Sequence, residues 1–295
     1  MSRLRTVGLV AGFDLYESLR SRKALALILI YVVIAMGATA LFASAVNRVF
    51  AQMAEQVGTE MVDKVMESDE MLRLVTRMTA GDEALAKELL RIPLIALFYQ
   101  VVITTFMPLI MVLTSSDAIS GEIATGSARF ALFRVDRAGW AIGKLLGQTL
   151  LMLVGILVGA LACWGMGMAQ LDRIDAANSL YWLMRMSLRG AFYGFAYLGI
   201  ALCASQLARS NGAARGLALL FAFVCFIVGR IFAFMAVRGS SPELGEALQN
   251  LVPSGHAASL FRPELGDRMV GMIGLFIIGL AWFGLGFWRL YRRDA

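Results

Sequence analysis

The sequence is poor in the side chains that soluble catalysis and metal binding rely on. Its 295 residues include one histidine, three cysteines and five prolines, and only 16% are charged. A lone imidazole, His256, excludes a histidine-rich metal centre and any mechanism that needs two histidines. Cys163, Cys203 and Cys225 stand far apart inside apolar runs without CxxC spacing, so neither structural zinc nor a disulfide frame is expected, and they read as small core residues. A phosphate-binding loop is missing too. The segment 139–144 has three residues between Gly139 and Gly143, and Leu145 follows Lys144, whereas such a loop needs four residues and then a hydroxyl. The chain is therefore expected to bind no cofactor and to hydrolyse no nucleotide itself. It also lacks a polar stretch long enough to fold as a soluble domain, the longest being 47–91.

What is abundant is hydrocarbon. Hydrophobic residues make up 59% of the chain, and the mean hydropathy is +0.72. They fall into runs of about 20 residues, the length that crosses a bilayer core as a helix. Six such runs are read at 24–46, 93–114, 141–168, 184–208, 216–237 and 269–288, giving an all-α membrane protein, one transmembrane domain over 1–295. The first run starts too late and is too long for a cleaved signal peptide. Basic residues such as Arg20, Arg22, Lys23, Arg129, Arg134, Arg209, Arg289 and Arg292 gather on one side of the spans, which places both termini in the cytoplasm of a bacterial inner membrane. The net charge of +6 is spread over juxtamembrane positions that lipid headgroups satisfy, so it does not point to nucleic acid.

Three polar segments have their own patterns. In 1–23, Leu9, Phe13, Tyr16 and Leu19 share a helix face, with Asp14, Glu17 and Arg20 between them, as in a helix lying in the cytoplasmic interface. In 47–91, Met53, Val57, Met61 and Val65 recur every fourth residue, and Leu85 and Leu89 follow a break at Gly81-Asp82. This predicts an outward-facing helical hairpin open to a periplasmic partner. In 238–268, Ser241-Pro242-Glu243 has the form of a helix start, and two short helices in the outer leaflet are expected. Gly155/Gly159, Gly190/Gly194 and Gly212/Gly216 have the spacing that lets membrane helices approach closely.

The segment 115–140 carries the most specific pattern. Asp117 follows the second span, then come Glu122, Gly126 and Ser127, with Arg137 and Gly143-Lys144 leading into the third span. Ile119, Ile123 and Phe130 surround Glu122, which makes a compact amphipathic turn suited to passing force from a soluble partner. With these residues and six spans, the chain resembles the permease subunits of ABC-2 type (type V) ABC exporters, nearest those related to the nitrous-oxide-reductase maturation transporter. It departs from their pattern in having Ser127 for threonine, no proline near Val135 and a Glu122-to-Arg137 interval one residue short. The resemblance implies a homodimer with two copies of a cytoplasmic ATPase that binds ATP and Mg. Asp117, Glu122, Gly126, Ser127, Arg137 and Lys144 would then form the coupling loop against that ATPase, and the second and fifth spans would line a path at the dimer axis. Glu122 is expected to cap backbone donors nearby or to pair with a basic group of the ATPase.

Arg189 and Arg230 lie inside the fourth and fifth spans with no acid in the spans to neutralise them, so they either border an outward cavity for an anion or snorkel to the interface. Pro253-Ser254-Gly255-His256 resembles the central motif of membrane lipid phosphatases, but those enzymes need a second histidine that this chain lacks. A membrane hydrolase using His256, and a non-transporting assembly or anchoring protein, are the alternatives to an exporter subunit.

Overall fold

A computed structural model describes residues 3–57, 68–78, 82–171, 175–238, 242–262 and 264–292. Among them every regular element is helical. The helices are α1 (Arg3–Arg20), α2 (Arg22–Val57), α3 (Asp69–Met78), α4 (Glu83–Arg91), α5 (Leu94–Ser115), α6 (Ser120–Thr125), α7 (Ser127–Leu132), α8 (Arg137–Gln170), α9 (Ala176–Leu207), α10 (Asn211–Arg238), α11 (Pro242–Gln249) and α12 (Leu265–Tyr291). Short 3₁₀ turns at Pro253–His256 and Ser259–Phe261 precede α12.

Six helices, α2, α5, α8, α9, α10 and α12, are long and apolar enough to cross a membrane. In hydrocarbon each backbone amide must find its partner within its own helix, which is why these apolar runs adopt no other form. The helices overshoot the apolar runs because hydrogen bonding continues through the headgroup region, where capping groups end it. Asp136 accepts from the Gly139 amide at the start of α8, and Asp175 from those of Ala177 and Asn178 at the start of α9.

The fourth span, α9, is the axis of the bundle and packs against α12, α5, α10 and α8. Its apolar stretch is 89% buried, against 17% for those of α2 and α10. Small residues set this arrangement. A Cβ on Gly199 would lie 2.1 Å from the Gly279 carbonyl oxygen of α12, so the two backbones touch at that crossing. Of the glycine pairs picked out by spacing, Gly159 lies under Tyr31 and Tyr99, Gly190 under Ile103 and Gly194 under Met152 and Met107. A Cβ added to Gly212 or Gly216 would meet nothing within 4 Å, so these two take no part in the packing of this chain.

The segment 47–91 differs from the expected hairpin at its start. Residues 47–57 prolong the first span as part of α2, tied by the Asn47 side-chain amide to the Gln170 carbonyl at 2.7 Å. Met61 and Val65 lie outside the described residues, as does Gly81, while α3 and α4 pack against each other on either side of it. In the segment 238–268, Ser241 lies outside the described residues, α11 begins at Pro242, and the second expected helix is the pair of 3₁₀ turns.

Replacing Gly199 by alanine should force α9 and α12 apart and destabilise the fold by about 1–3 kcal/mol, the usual cost of overpacking. Gly165→Ala on α8, where an added Cβ meets nothing within 4 Å, should leave the fold no less stable. Thermal unfolding of both variants in detergent, followed by tryptophan fluorescence, checks the pair.

Candidate functional site

At the end of the bundle that holds α1, α6 and α7, two charged nodes sit side by side. The first is built on a glycine groove in α8. Cβ atoms on Gly143 and Gly147 would fall 2.6 Å from Val10 and Asp14 of α1, so only bare backbone lets α1 lie this close. The face of α1 that enters the groove carries Ala11 and Asp14, both buried, while Leu9, Phe13 and Tyr16 point away and are exposed, as an interfacial helix requires.

This approach brings Asp14 to Lys144, with Asp14 Oδ1 2.6 Å from Nζ. Lys144 also forms an ion pair with Glu122 of α6. A buried ammonium is thus shared by two carboxylates from two other helices. The second oxygen of each carboxylate is taken as well. Trp140 Nε1 donates to Glu122 Oε2 at 3.2 Å, and Gln148 Nε2 donates to Asp14 Oδ2 at 2.7 Å. Ser115 of α5 donates to Gln148 Oε1 at 2.9 Å. Burial raises the Asp14 carboxyl above its ordinary 3.8; Lys144 opposes the rise, and Glu122 adds to it.

The second node centres on Asp117, whose Oδ2 lies 2.6 Å from Lys23 Nζ and 2.8 Å from Arg215 Nη2. One node holds two acids and one base, the other two bases and one acid. Asp14, Glu122, Lys144, Lys23 and Asp117 all line one cavity of about 340 Å³. Between the nodes, Ser205 of α9 accepts hydrogen bonds from the amides of Ile119 and Ser120, at 3.0 and 2.9 Å. That supplies the acceptors that the first turn of α6 lacks.

Gly126 separates α6 from α7 with φ of 77°, a left-handed conformation that favours glycine, and its amide closes α6 on the Ile123 carbonyl. Ser127 Oγ lies 3.0 Å from Thr125 Oγ1 across this turn. Beyond it the loop presents Phe130 and Phe133, exposed at 76% and 85%. A second cavity of about 390 Å³ lies beside them, lined by Ile123, Arg129, Leu132, Arg137, Trp140 and Arg209 among others. Arg137 also donates to the Tyr291 carbonyl at 3.0 Å, joining the loop to the last helix.

Of the six loop residues picked out by motif, Glu122 and Lys144 meet directly, while Asp117 belongs to the neighbouring node. Gly126 and Ser127 shape the turn, and Arg137 braces it from outside. Within its own chain the Glu122 carboxylate is held by Lys144 and by Trp140. Sequence reasoning missed Asp14, Lys23, Gln148, Ser205 and Arg215. The available signal is the Gly143-x-x-x-Gly147 groove, which has to accept a helix with small residues at the spacing of Ala11, Asp14 and Ser18.

Arg189 and Arg230 are not brought together. Arg230 is exposed on α10, whereas Arg189 is 5% exposed and donates to the Leu260 carbonyl. The acid near Arg189 is Glu88, which comes from α4 and not from a span. His256 is packed on α12, where a Cβ on Gly274 would meet its ring at 2.6 Å, and its Nε2 lies 2.9 Å from the Asn250 carbonyl. The ring is used as a structural wedge. No group of three or more metal-binding side chains occurs among the described residues.

A family model described as ABC-2 family transporter protein matches residues 9–295, which takes in most of α1, both nodes and all six spans. The chain belongs to the ABC-2 transporter family. It is similar to the probable ABC transporter permease protein NosY of Stutzerimonas stutzeri, with 27% identity over 212 residues, covering 64% of this chain and 76% of that protein. As an ABC transporter permease it is a multi-pass membrane protein, and membership of this family implies an ATPase partner in the transporter.

In the node, Lys144→Met should lower stability by about 3–5 kcal/mol, since it leaves two partly or fully buried carboxylates without their shared cation. Asp14→Asn should cost less, because Lys144 keeps Glu122. The native protein holds the Asp14 proton to higher pH than the unfolded chain does. Asp14 therefore adds a loss of stability as pH rises from 3.8 towards its raised value, and no slope above it. Melts across that range should show this component in the wild type and not in Asp14→Asn.

Proposed function

We propose that this chain is the membrane half of an exporter whose cytoplasmic ATPase docks on the α6–α7 loop, and that two copies of the chain enclose the path. The observation that carries the reading is the construction of the loop. Its inner side is fastened by Glu122 to a buried lysine on α8, and its outer side presents Phe130 and Phe133 beside a cavity with Arg129, Arg137 and Arg209 on its wall. Exposed aromatic and arginine side chains around a concavity are what a protein partner buries at the centre of an interface. A push on the aromatic side reaches α8 through Glu122–Lys144 and α1 through Lys144–Asp14, so the loop moves with the spans instead of folding up against them.

In this mechanism, ATP binding draws two ATPases together and shifts the two loops. The shift is passed to α8 through Lys144, to α2 and α10 through Asp117, and to α9 through Ser205. The homodimer would form along α5 and α10. Support comes from α10, which exposes Phe223, Ile227 and Phe234 and leaves open space at Gly212 and Gly216, where a second helix has room to approach. Both termini and the loop would lie in the cytoplasm, with α3, α4, α11 and the 3₁₀ turns on the outer side of a bacterial inner membrane. ATP and Mg would be held by the partner, and this chain would supply no catalytic group.

The test uses the complex purified with its nucleotide-hydrolysing chain in mild detergent. Phe133→Asp should reduce co-purification of that chain about tenfold or more, as expected for a buried aromatic at an interface centre. Glu122→Gln should leave the association largely intact while lowering permease-dependent ATP turnover about tenfold, because the loop no longer carries α8 with it. Wild-type association and turnover in both variants would contradict the docking site.

A further inference from the structure

At the opposite end of the bundle, Arg189 of α9 is a buried guanidinium whose hydrogen bonding is incomplete. Its Nη1 donates to the Leu260 carbonyl at 3.1 Å, but Nη2 has no acceptor among the described residues. Arg268 of α12 and Arg185 are the like charges that bear on it, and Glu88 of α4 is the opposite one. Arg268 is in a similar position. Its side chain is 12% exposed, its Nη1 stands 4.0 Å from Glu88 Oε1, and its Nε is also without an acceptor among the described residues. Arg185 is held over the Trp182 ring at 4.7 Å and bonded to the Tyr181 hydroxyl.

Two largely buried guanidinium groups, with the more exposed Arg185 at their edge, thus face one carboxylate. Excess buried positive charge is costly, and each buried N–H without an acceptor adds to the cost. Among the described residues the other buried charges, Asp14 and Lys144, are closely paired, so the shortfall there is confined to this cluster. The missing component is one that brings negative charge and several acceptor oxygens at once. Guanidinium groups from two helices, each with a free N–H, match the tetrahedral oxygens of phosphate, which accepts from several donors in different directions.

We infer that Arg189 and Arg268, with Arg185 beside them, form a binding site for a phosphate group, contributed by a lipid headgroup or by a soluble phosphate. The site is independent of the ATPase and of the α6–α7 loop. A bound phosphate would tie α9 and α12 together, neutralise the surplus charge and satisfy the vacant donors. Glu88 limits the affinity by holding part of Arg268's charge.

The experiment uses the full chain, stripped of native lipid and placed in nanodiscs of neutral phosphatidylcholine. One arm adds inorganic phosphate in solution; the other replaces part of the lipid by phosphatidylglycerol. Binding is read by thermal stabilisation and by native mass spectrometry. Stabilisation by phosphatidylglycerol alone identifies a headgroup site, and stabilisation by inorganic phosphate identifies a site for soluble phosphate; either supports the inference. Arg268→Gln should weaken binding of the active probe about tenfold, the loss expected for a hydrogen bond to a charged group. Glu88→Gln should tighten it severalfold, an outcome that a purely structural role for the cluster does not produce and that remains readable if Arg268→Gln fails to fold. Binding of neither probe, or binding unaltered by both substitutions, overturns the inference.

Discussion

The shared burial of Lys144 between Asp14 and Glu122 is the constraint on which the rest of this architecture depends. An ammonium group in this position costs several kcal/mol in lost hydration unless carboxylates are brought to it. Those carboxylates come from α1 and α6, which are otherwise separate pieces of surface structure. Satisfying one charge therefore fixes the interfacial helix and the loop onto the third span together. The glycine groove at Gly143 and Gly147 follows from the same need, since Asp14 reaches the lysine only if α1 lies directly on the backbone of α8. Gln148 then donates to Asp14 and accepts from Ser115, which extends the network to α5. The second node at Asp117 carries the opposite imbalance of charge and lines the same cavity, so the two stabilise each other across it.

Much of this is legible in the residues, for reasons that differ from element to element. Apolar runs in hydrocarbon have no alternative to helix, so all six spans follow from length and composition alone. The caps at Asp136 and Asp175 start α8 and α9 ahead of the runs read at 141 and 184, because apolar content does not register a polar first turn. Motif spacing leads to Glu122, Gly126 and Lys144. What stays hidden depends on contacts between residues far apart in the chain. Asp14 looks like one more solvated acid on an interfacial helix until α1 is seen to lie on α8, and Ser205 reads as a small residue in an apolar span until it meets the amides of α6. An acid in a polar loop is usually solvated, which makes an outward role the natural expectation for Glu122. Its inward turn is set by Lys144, which the motif places in the same pattern without fixing its direction.

The two ends of the bundle treat charge in opposite ways. Near the loop, the buried charges of both nodes have close partners from other helices, and the result is a rigid joint between the surface elements and the spans. At the far end, three arginines share one acid, and two of their nitrogens lack acceptors among the described residues. Between the ends runs α9, the most buried span, which carries Ser205 near one end and Arg189 in the half nearer the other. A displacement of α9 along its axis would thus be felt at both, which gives the chain a direct structural link from the loop to the opposite surface.

The central claim is that Lys144 joins α1 and the α6–α7 loop into one unit with α8. Amide hydrogen exchange on the wild type and Lys144→Met in detergent tests it most directly. The account predicts that protection falls together in α1 and in α6, while the amides of α9 keep theirs. Unchanged protection in α6 after loss of the lysine would contradict it.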